Sequence, residues 1–255
     1  MRDAEGLILE NRPVCRDFYR CRIQLTTPMD NVTPGQFVMV KMPSSEIFLR
    51  RPFSIYDCGN QTVTILYRVV GKGTQALASA GRKERLMVLG PLGRGFQIQR
   101  GFTPVLVAGG IGIAGLHLLW KKVRKGAHVL YGCSADKELP LLGRMGQAAS
   151  SAGQAVCTLD GSAGFCGNVV QLLEQSLPLI GGKPYVYACG PQAMYASLKV
   201  FLKDKGIPCQ VLVEERMACG LGLCFGCVKK TLDHREPYKR ACLEGPVFDL
   251  WQLSL

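Results

Sequence analysis

The 255-residue chain is 47% apolar and 20% charged, with no low-complexity tract and no fixed internal period, which excludes a disordered protein and a repeat array. Its formal charge of +12 would suit a nucleic acid, a membrane surface or an acidic partner, but the basic residues are dispersed over Arg82–Arg85, Lys121–Lys125 and Lys229–Arg240 without aromatic interleaving. Nucleic acid is therefore not expected as a partner; the first two groups read as solvated faces, and the third, beside a cysteine cluster, as a partner contact.

The N-terminus carries no apolar segment behind its charges, which argues against a secretory leader and for a cytoplasmic protein. Residues 1–99 read as short strands separated by Gly/Pro turns: 21–25, 37–42 and 62–70 alternate or run apolar, and turns are signalled at Thr33-Pro34-Gly35, Cys58-Gly59-Asn60 and Gly90-Pro91. An antiparallel β-barrel domain is predicted, with a short helix over 74–81.

Within this region Arg51-Pro52-Phe53-Ser54 follows a strand, and Tyr67-Arg68-Val69-Val70-Gly71-Lys72-Gly73-Thr74 ends a strand in a glycine turn that opens a helix. A flavin dinucleotide needs a cation for its pyrophosphate and a small hydroxyl near the reactive ring nitrogen, roles for Arg51 and Ser54. Gly73 and Thr74 would meet the pyrophosphate at the helix N-terminus, and Tyr67 would stack on an aromatic ring. An ordinary barrel strand and turn is the alternative.

From about residue 100 the pattern changes to apolar strands at 104–108, 127–132, 154–159, 185–188 and 211–215, alternating with helices ending near 125, 176 and 205. This is the signature of an α/β doubly wound nucleotide domain, expected over 100–213. The uncharged stretch Gly101–Trp120 is long enough for a bilayer, but Pro104 and its glycines favour a strand, a glycine turn and a helix start, so no membrane span is expected. Gly110-Ile111-Gly112-Ile113-Ala114-Gly115 fits the dinucleotide pattern. Asp136 is the nearest acidic residue for a ribose, and the absence of an arginine in that turn favours NAD over NADP. Cys189 and Gly190, at the next strand end, would face the nicotinamide. His117 and His128 read as packing residues.

Eight of the twelve cysteines are dispersed and read as small apolar filler. The other four are Cys219, Cys224 and Cys227, spaced C-x4-C-x2-C in a glycine-rich loop, and Cys242. This is the plant-type [2Fe-2S] spacing. A structural zinc site is the alternative, but it lacks the usual second Cys or His pair. A small iron–sulfur domain is expected over 214–255.

Taken in order, Arg51–Ser54, Gly73-Thr74, Gly110–Gly112, Cys189-Gly190-Pro191 and the four late cysteines resemble the ferredoxin–NADP reductase superfamily. The tail Glu215–Gly220 with Lys239–Cys242 resembles more narrowly the electron transfer subunits of dihydroorotate dehydrogenase B. The resemblance implies FAD, contacted by Arg51 to Ser54, Tyr67, Arg68, Val69, Gly73 and Thr74, together with a [2Fe-2S] cluster and NAD(H) as substrate. It implies a heterotetramer with an FMN-containing catalytic dihydroorotate dehydrogenase subunit, electrons passing from FMN through cluster and FAD to NAD+ in pyrimidine biosynthesis. No residue is expected to act as a catalytic acid or base. Subunits of sulfite reductase, hydrogenase and transhydrogenase complexes share these motifs. A free-standing reductase and a redox-sensing binding protein are the other readings.

Overall fold

A computed structural model describes residues 1–44, 46–147 and 154–255. The first sheet contains β1 (Arg2–Cys15), β2 (Phe18–Leu25), β3 (Phe37–Val40), β4 (Arg51–Ser54), β5 (Asp57–Cys58), β6 (Thr62–Arg68) and β7 (Arg85–Leu92), in the order β4-β3-β7-β1-β2-β6-β5. All its pairings are antiparallel, and the sheet curls into a half-barrel around Ile8, Ile23, Val38, Val63 and Ile65. Burial alternates along β1 with Ala4, Gly6 and Ile8 facing inward. Two of these three are too small to register as an apolar alternation, which is why the sequence hides this long strand. Helix α1 (Lys72–Ser79) follows β6. It begins two residues before the sequence-based expectation because the Thr74 hydroxyl closes the preceding turn, accepting from the Val70 and Gly71 amides at 2.9 and 3.2 Å.

The second sheet has the order β11-β10-β9-β8-β12-β13-β16, with β16 spanning Val247–Asp249. Its parallel strands are β8 (Thr103–Gly109), β9 (His128–Cys133), β10 (Gln154–Thr158), β11 (Phe165–Cys166), β12 (Pro184–Cys189) and β13 (Cys209–Leu212). Helices α2 (Ile113–Val123), α3 (Arg144–Gln147), α4 (Val169–Ser176) and α5 (Gln192–Lys203) lie between them. Helix α4 starts where the sequence says it should: the Asn168 side chain accepts from the Val170 and Gln171 amides, and Gln171 reaches back to the Asn168 N–H. The uncharged stretch Gly101–Trp120 resolves into β8, a 3-10 turn at Gly110–Gly112 and most of α2. Among the described residues no helix is long and apolar enough to cross a membrane.

The tail forms a hairpin, β14 (Val228–Lys230) with β15 (Tyr238–Arg240), and then β16 (Val247–Asp249), which pairs antiparallel with β13 and so completes the second sheet. Just ahead of β16, Arg94 N–H donates to the Gly245 carbonyl at 2.5 Å and Val213 N–H to the Pro246 carbonyl at 2.8 Å. One short segment of the tail is thus bonded to the end of the barrel and to the edge of the parallel sheet.

His117 on α2 fills the other seam between the two sheets. It is buried, its Nδ1 lies 3.0 Å from the Tyr56 carbonyl, and its ring stacks on Tyr56 with centroids 3.9 Å apart. Burial pushes its pKa below the ordinary imidazole value, the Tyr56 carbonyl working against that shift. The fold therefore favours neutral His117. The stability this contributes is complete above about pH 6.5 and is lost as the pH falls below it. In urea denaturation at about pH 7.5 and about pH 5, His117→Gln should lose less stability on acidification than the wild type. An equal loss in both proteins would show that His117 is not a source of acid sensitivity.

Candidate functional site

A cleft of about 600 Å³ lies where the barrel, the parallel sheet and the tail meet; it is lined by Arg68, Gly110, Gly112, Gly190, Glu214 and Lys229 among others. Its size suits a dinucleotide fragment. The floor is made by two strand-to-helix turns in contact. A Cβ on Gly112 would overlap the Cys189 carbonyl, so only glycine lets the turn after β8 approach the end of β12. The second turn is fixed by Tyr195, whose hydroxyl accepts from the Gly190 amide at 2.9 Å and donates to the Leu212 carbonyl. Sequence reasoning passed over Tyr195 because one aromatic on a helix reads as core. Gly190 opens onto the cleft, whereas the Cys189 side chain is fully buried and its sulfur packs behind the turn, next to Gly115. Asp136 begins a 3-10 segment (Asp136–Leu142) and is exposed, its amide accepted by Ser162; the acidic side chain that lines the cleft from this segment is Glu138.

On the barrel side, β4 and the N-terminus of α1 converge. A Cβ on Gly73 would lie 3.1 Å from the Arg51 Nε, so the guanidinium rests directly against the first turn of α1. Arg51 donates Nη1 to the Leu49 carbonyl at 2.8 Å, and among the described residues it has no carboxylate partner. The first-turn amides of a helix likewise have no intrahelical acceptor. A cation beside the positive end of a helix is uncompensated, and a pyrophosphate would satisfy both. Ser54 pairs with Phe37 on β3, and Phe53 packs edge-on against Tyr67. Tyr67 is buried and donates to the Asn11 Oδ1 at 3.1 Å, while Asn11 Nδ2 donates to the Leu77 and Ala80 carbonyls at the end of α1. Asn11 therefore locks α1 to the barrel, a role no local signal discloses. Arg68 stands exposed over the Phe18 ring, and Val69 is half-buried, its amide bonded to the Asp17 carbonyl.

Cys219, Cys224 and Cys227 lie in the loop ahead of β14, and the β14–β15 hairpin brings Cys242 alongside Cys227. Leu221 N–H donates to the Cys219 Sγ at 3.3 Å, Gly222 N–H to the Cys242 Sγ at 3.1 Å, Gly226 N–H to the Cys224 Sγ at 3.5 Å and Cys242 N–H to the Cys227 Sγ at 3.4 Å. Gly220 and Gly222 adopt φ of +70° and +80°, which side-chain-bearing residues rarely take, and this turns the amides inward. Four sulfurs each accepting a backbone N–H match the needs of anionic thiolates around an iron–sulfur cluster, so the residues fit that group. Arg240 holds the loop, donating Nη1 to the Gly222 carbonyl at 2.9 Å while paired with Glu244.

The loop acts differently on its thiols. Burial raises the pKa of Cys219, but amide donors from Leu221, Cys224 and Leu223 and the Cys224 side chain outweigh it and bring the value down to about 6. Cys242 is pushed up to about 12 by burial, with the adjacent Cys227 thiol adding to the rise and the Gly222 amide opposing it. In apoprotein, iodoacetamide labelling of Cys219 should be slow below pH 6 and rise with a midpoint of about 6, while Cys242 stays unlabelled through neutral pH. Peptide mass spectrometry across the pH series checks this. A Cys219 midpoint near the ordinary 9.0 would contradict the loop geometry.

Comparison with known proteins agrees with this arrangement. Residues 214–254 match the family described as the iron-sulfur cluster binding domain of dihydroorotate dehydrogenase B. The chain is 36% identical, over 94% of each sequence, to the dihydroorotate dehydrogenase B (NAD(+)) electron transfer subunit of Caldanaerobacter subterraneus. It is 39% identical, over 89% of each, to that of Lysinibacillus sphaericus. In fold it is similar to a chain of an NADH-dependent reduced ferredoxin-NADP oxidoreductase, with a TM-score of 0.85 at 24% identity over 98% of this chain and 89% of that one. It is also similar to a ferredoxin NADP+ reductase from Neisseria gonorrhoeae, with a TM-score of 0.68 at 16% identity over 81% and 92%. A curled antiparallel sheet joined to a parallel one, a tail bearing four cysteines, and full-length relatives of one kind lead to one assignment: the chain belongs to the family of dihydroorotate dehydrogenase B (NAD(+)) electron transfer subunits.

Proposed function

We propose that the chain carries FAD, a [2Fe-2S] cluster and a nicotinamide site, and that it moves electrons from a catalytic dihydroorotate-oxidising subunit to NAD+. The observation that carries this reading is the set of four backbone amides aimed at four cysteine sulfurs in a loop that packs on the barrel. A Cβ on Gly220 would lie 2.7 Å from Met39 of β3, so loop and barrel are in direct contact.

Each residue then has a task. Arg51 and the α1 amides hold the pyrophosphate of FAD, Ser54 and the Tyr67–Val69 strand end border its ring system, and Asn11 keeps helix and strand in register. The paired turns at Gly110–Gly112 and Gly190 receive the nicotinamide nucleotide, with Glu138 at the rim. Cys219, Cys224, Cys227 and Cys242 hold the cluster. When bound, these groups supply the redox chemistry, hydride exchange with nicotinamide on one side and single-electron exchange on the other. The protein contributes position, exclusion of water and charge. None of these residues need donate or accept a proton.

The rim of the cysteine loop supports the partner. Leu223 is 77% and Phe225 61% exposed, next to Leu221 and Leu243. Contiguous apolar surface of this kind marks an interaction site, and the Arg240 guanidinium lies over the Phe225 ring, 4.9 Å from its centroid. We assign this face to the FMN-bearing catalytic subunit, in a heterotetramer with equal numbers of both.

Cys224→Ala should cut transfer to the catalytic subunit by more than about 100-fold, beyond what loss of an outer-shell partner costs. NADH should still reduce the flavin at close to the wild-type rate. Stopped-flow flavin bleaching and coupled dihydroorotate oxidation separate the two. Survival of both activities, or loss of both, would overturn the relay order.

A further inference from the structure

A second cavity, of about 360 Å³, lies between the outer face of the first sheet and His117 of α2 together with Gly143 and Arg144 at the start of α3. It shares no lining residue with the nucleotide cleft. Its barrel wall is made by the side of β2 and β6 that faces away from the core: Arg20 and Arg22 alternate with buried Cys21 and Ile23, and Thr62 and Thr64 with buried Val63 and Ile65. Its other wall carries His117 and Arg144.

Charge is unbalanced here. Glu10 is already engaged by Arg12 and, at 3.2 Å, by Arg20. Asp57 is engaged by Lys121 at 2.6 Å. Arg22 and Arg144 make no ion pair among the described residues. Three lining arginines thus meet two lining carboxylates, and both carboxylates are already paired. The surplus is carried by guanidiniums from the two different halves of the molecule, and the Tyr56 phenol between them lies in the field of both Arg20 and Arg144. Like charges held together across a seam weaken it unless an anion joins them. Guanidiniums with nearby threonine and tyrosine hydroxyls match a tetrahedral oxyanion with several acceptors better than a flat carboxylate.

We propose that this cavity binds a phosphate-bearing small molecule, its phosphate held between Arg22 of the barrel and Arg144 of the nucleotide-binding half, so that occupancy clamps the two halves together. Neither the cluster nor the nucleotide cleft takes part.

The test uses the flavin-loaded protein saturated with NAD+, which fills the anion sites of the main cleft. Inorganic pyrophosphate is titrated at constant ionic strength while thermal unfolding and equilibrium dialysis are followed. The melting temperature should rise saturably, by about 5 °C at a hundredfold excess over the dissociation constant, with one equivalent bound per chain. Arg22→Gln and Arg144→Gln should each abolish the rise, while Arg235→Gln on the tail leaves it intact. Tighter binding of AMP than of pyrophosphate would assign the site to a nucleotide, and the reverse to a free phosphate. An absent rise in the wild type, or one that persists in both the Arg22 and Arg144 variants, would overturn the proposal. Because both arginines are on the surface, folded variants are expected. Should either fail to fold, Arg22→Lys and Arg144→Lys replace them: they keep the charge but lose the two-pronged donor geometry and should weaken pyrophosphate binding in dialysis, and unchanged binding in both would overturn the proposal.

Discussion

The segment Gly245–Asp249 is the constraint on which the arrangement depends. It is bonded to Arg94 at the end of the barrel, to Val213 at the end of β13, and then pairs with β13 itself. Around it, Gly35 and Gly93 of the barrel lie against Val247 and Pro246. Electron transfer between fixed centres requires that their separation not drift. A cluster loop on a flexible tether would lose that. Here the chain leaves the last parallel strand, forms the cysteine loop over the barrel, and returns to the same strand. Both ends of the loop are therefore anchored in one rigid sheet.

The same logic explains why the cleft lies where three parts of the chain meet. The parallel sheet brings the ends of β8 and β12 together, and the turns after them form the floor of the cleft. The barrel supplies Phe18 and Arg68 on the facing side. Positive charge thus reaches the cleft from Arg68 of the barrel, while the tail contributes Lys229, held by Glu215 at 2.6 Å. The charge excess of the sequence is not spread evenly in effect. It becomes specific where guanidiniums are left without carboxylates, at Arg51 and across the seam at Arg22 and Arg144.

The thiols illustrate how backbone geometry sets chemistry. Cys219 and Cys242 belong to one group of thiols, yet one is pushed down and the other up. The difference comes from the number of amides aimed at each sulfur set against the burial around it. The buried cysteines elsewhere, such as Cys21 and Cys209, have thiol pKa values raised chiefly by burial and serve as packing.

Much of this was legible in the sequence. The spacing of Cys219, Cys224 and Cys227 determined a cluster loop, because four sulfurs can converge on two irons only if the intervening glycines let the chain wrap tightly. The switch from short strands to strand–helix alternation near residue 100 determined two sheets of different kind, because the period of apolar residues reports which faces are buried. Tertiary structure alone decided the remainder. β1 is invisible locally, since small residues fill its inward positions wherever the neighbouring strands are large. Asn11, Tyr195 and Arg240 act on backbone groups distant in sequence or across a turn, and no spacing announces such bonds. Glu138 rather than Asp136 lines the cleft because a 3-10 segment rotates one side chain inward and leaves the other in solvent. The return of the tail to β13 depends on an open sheet edge that exists only once the rest of the chain has folded.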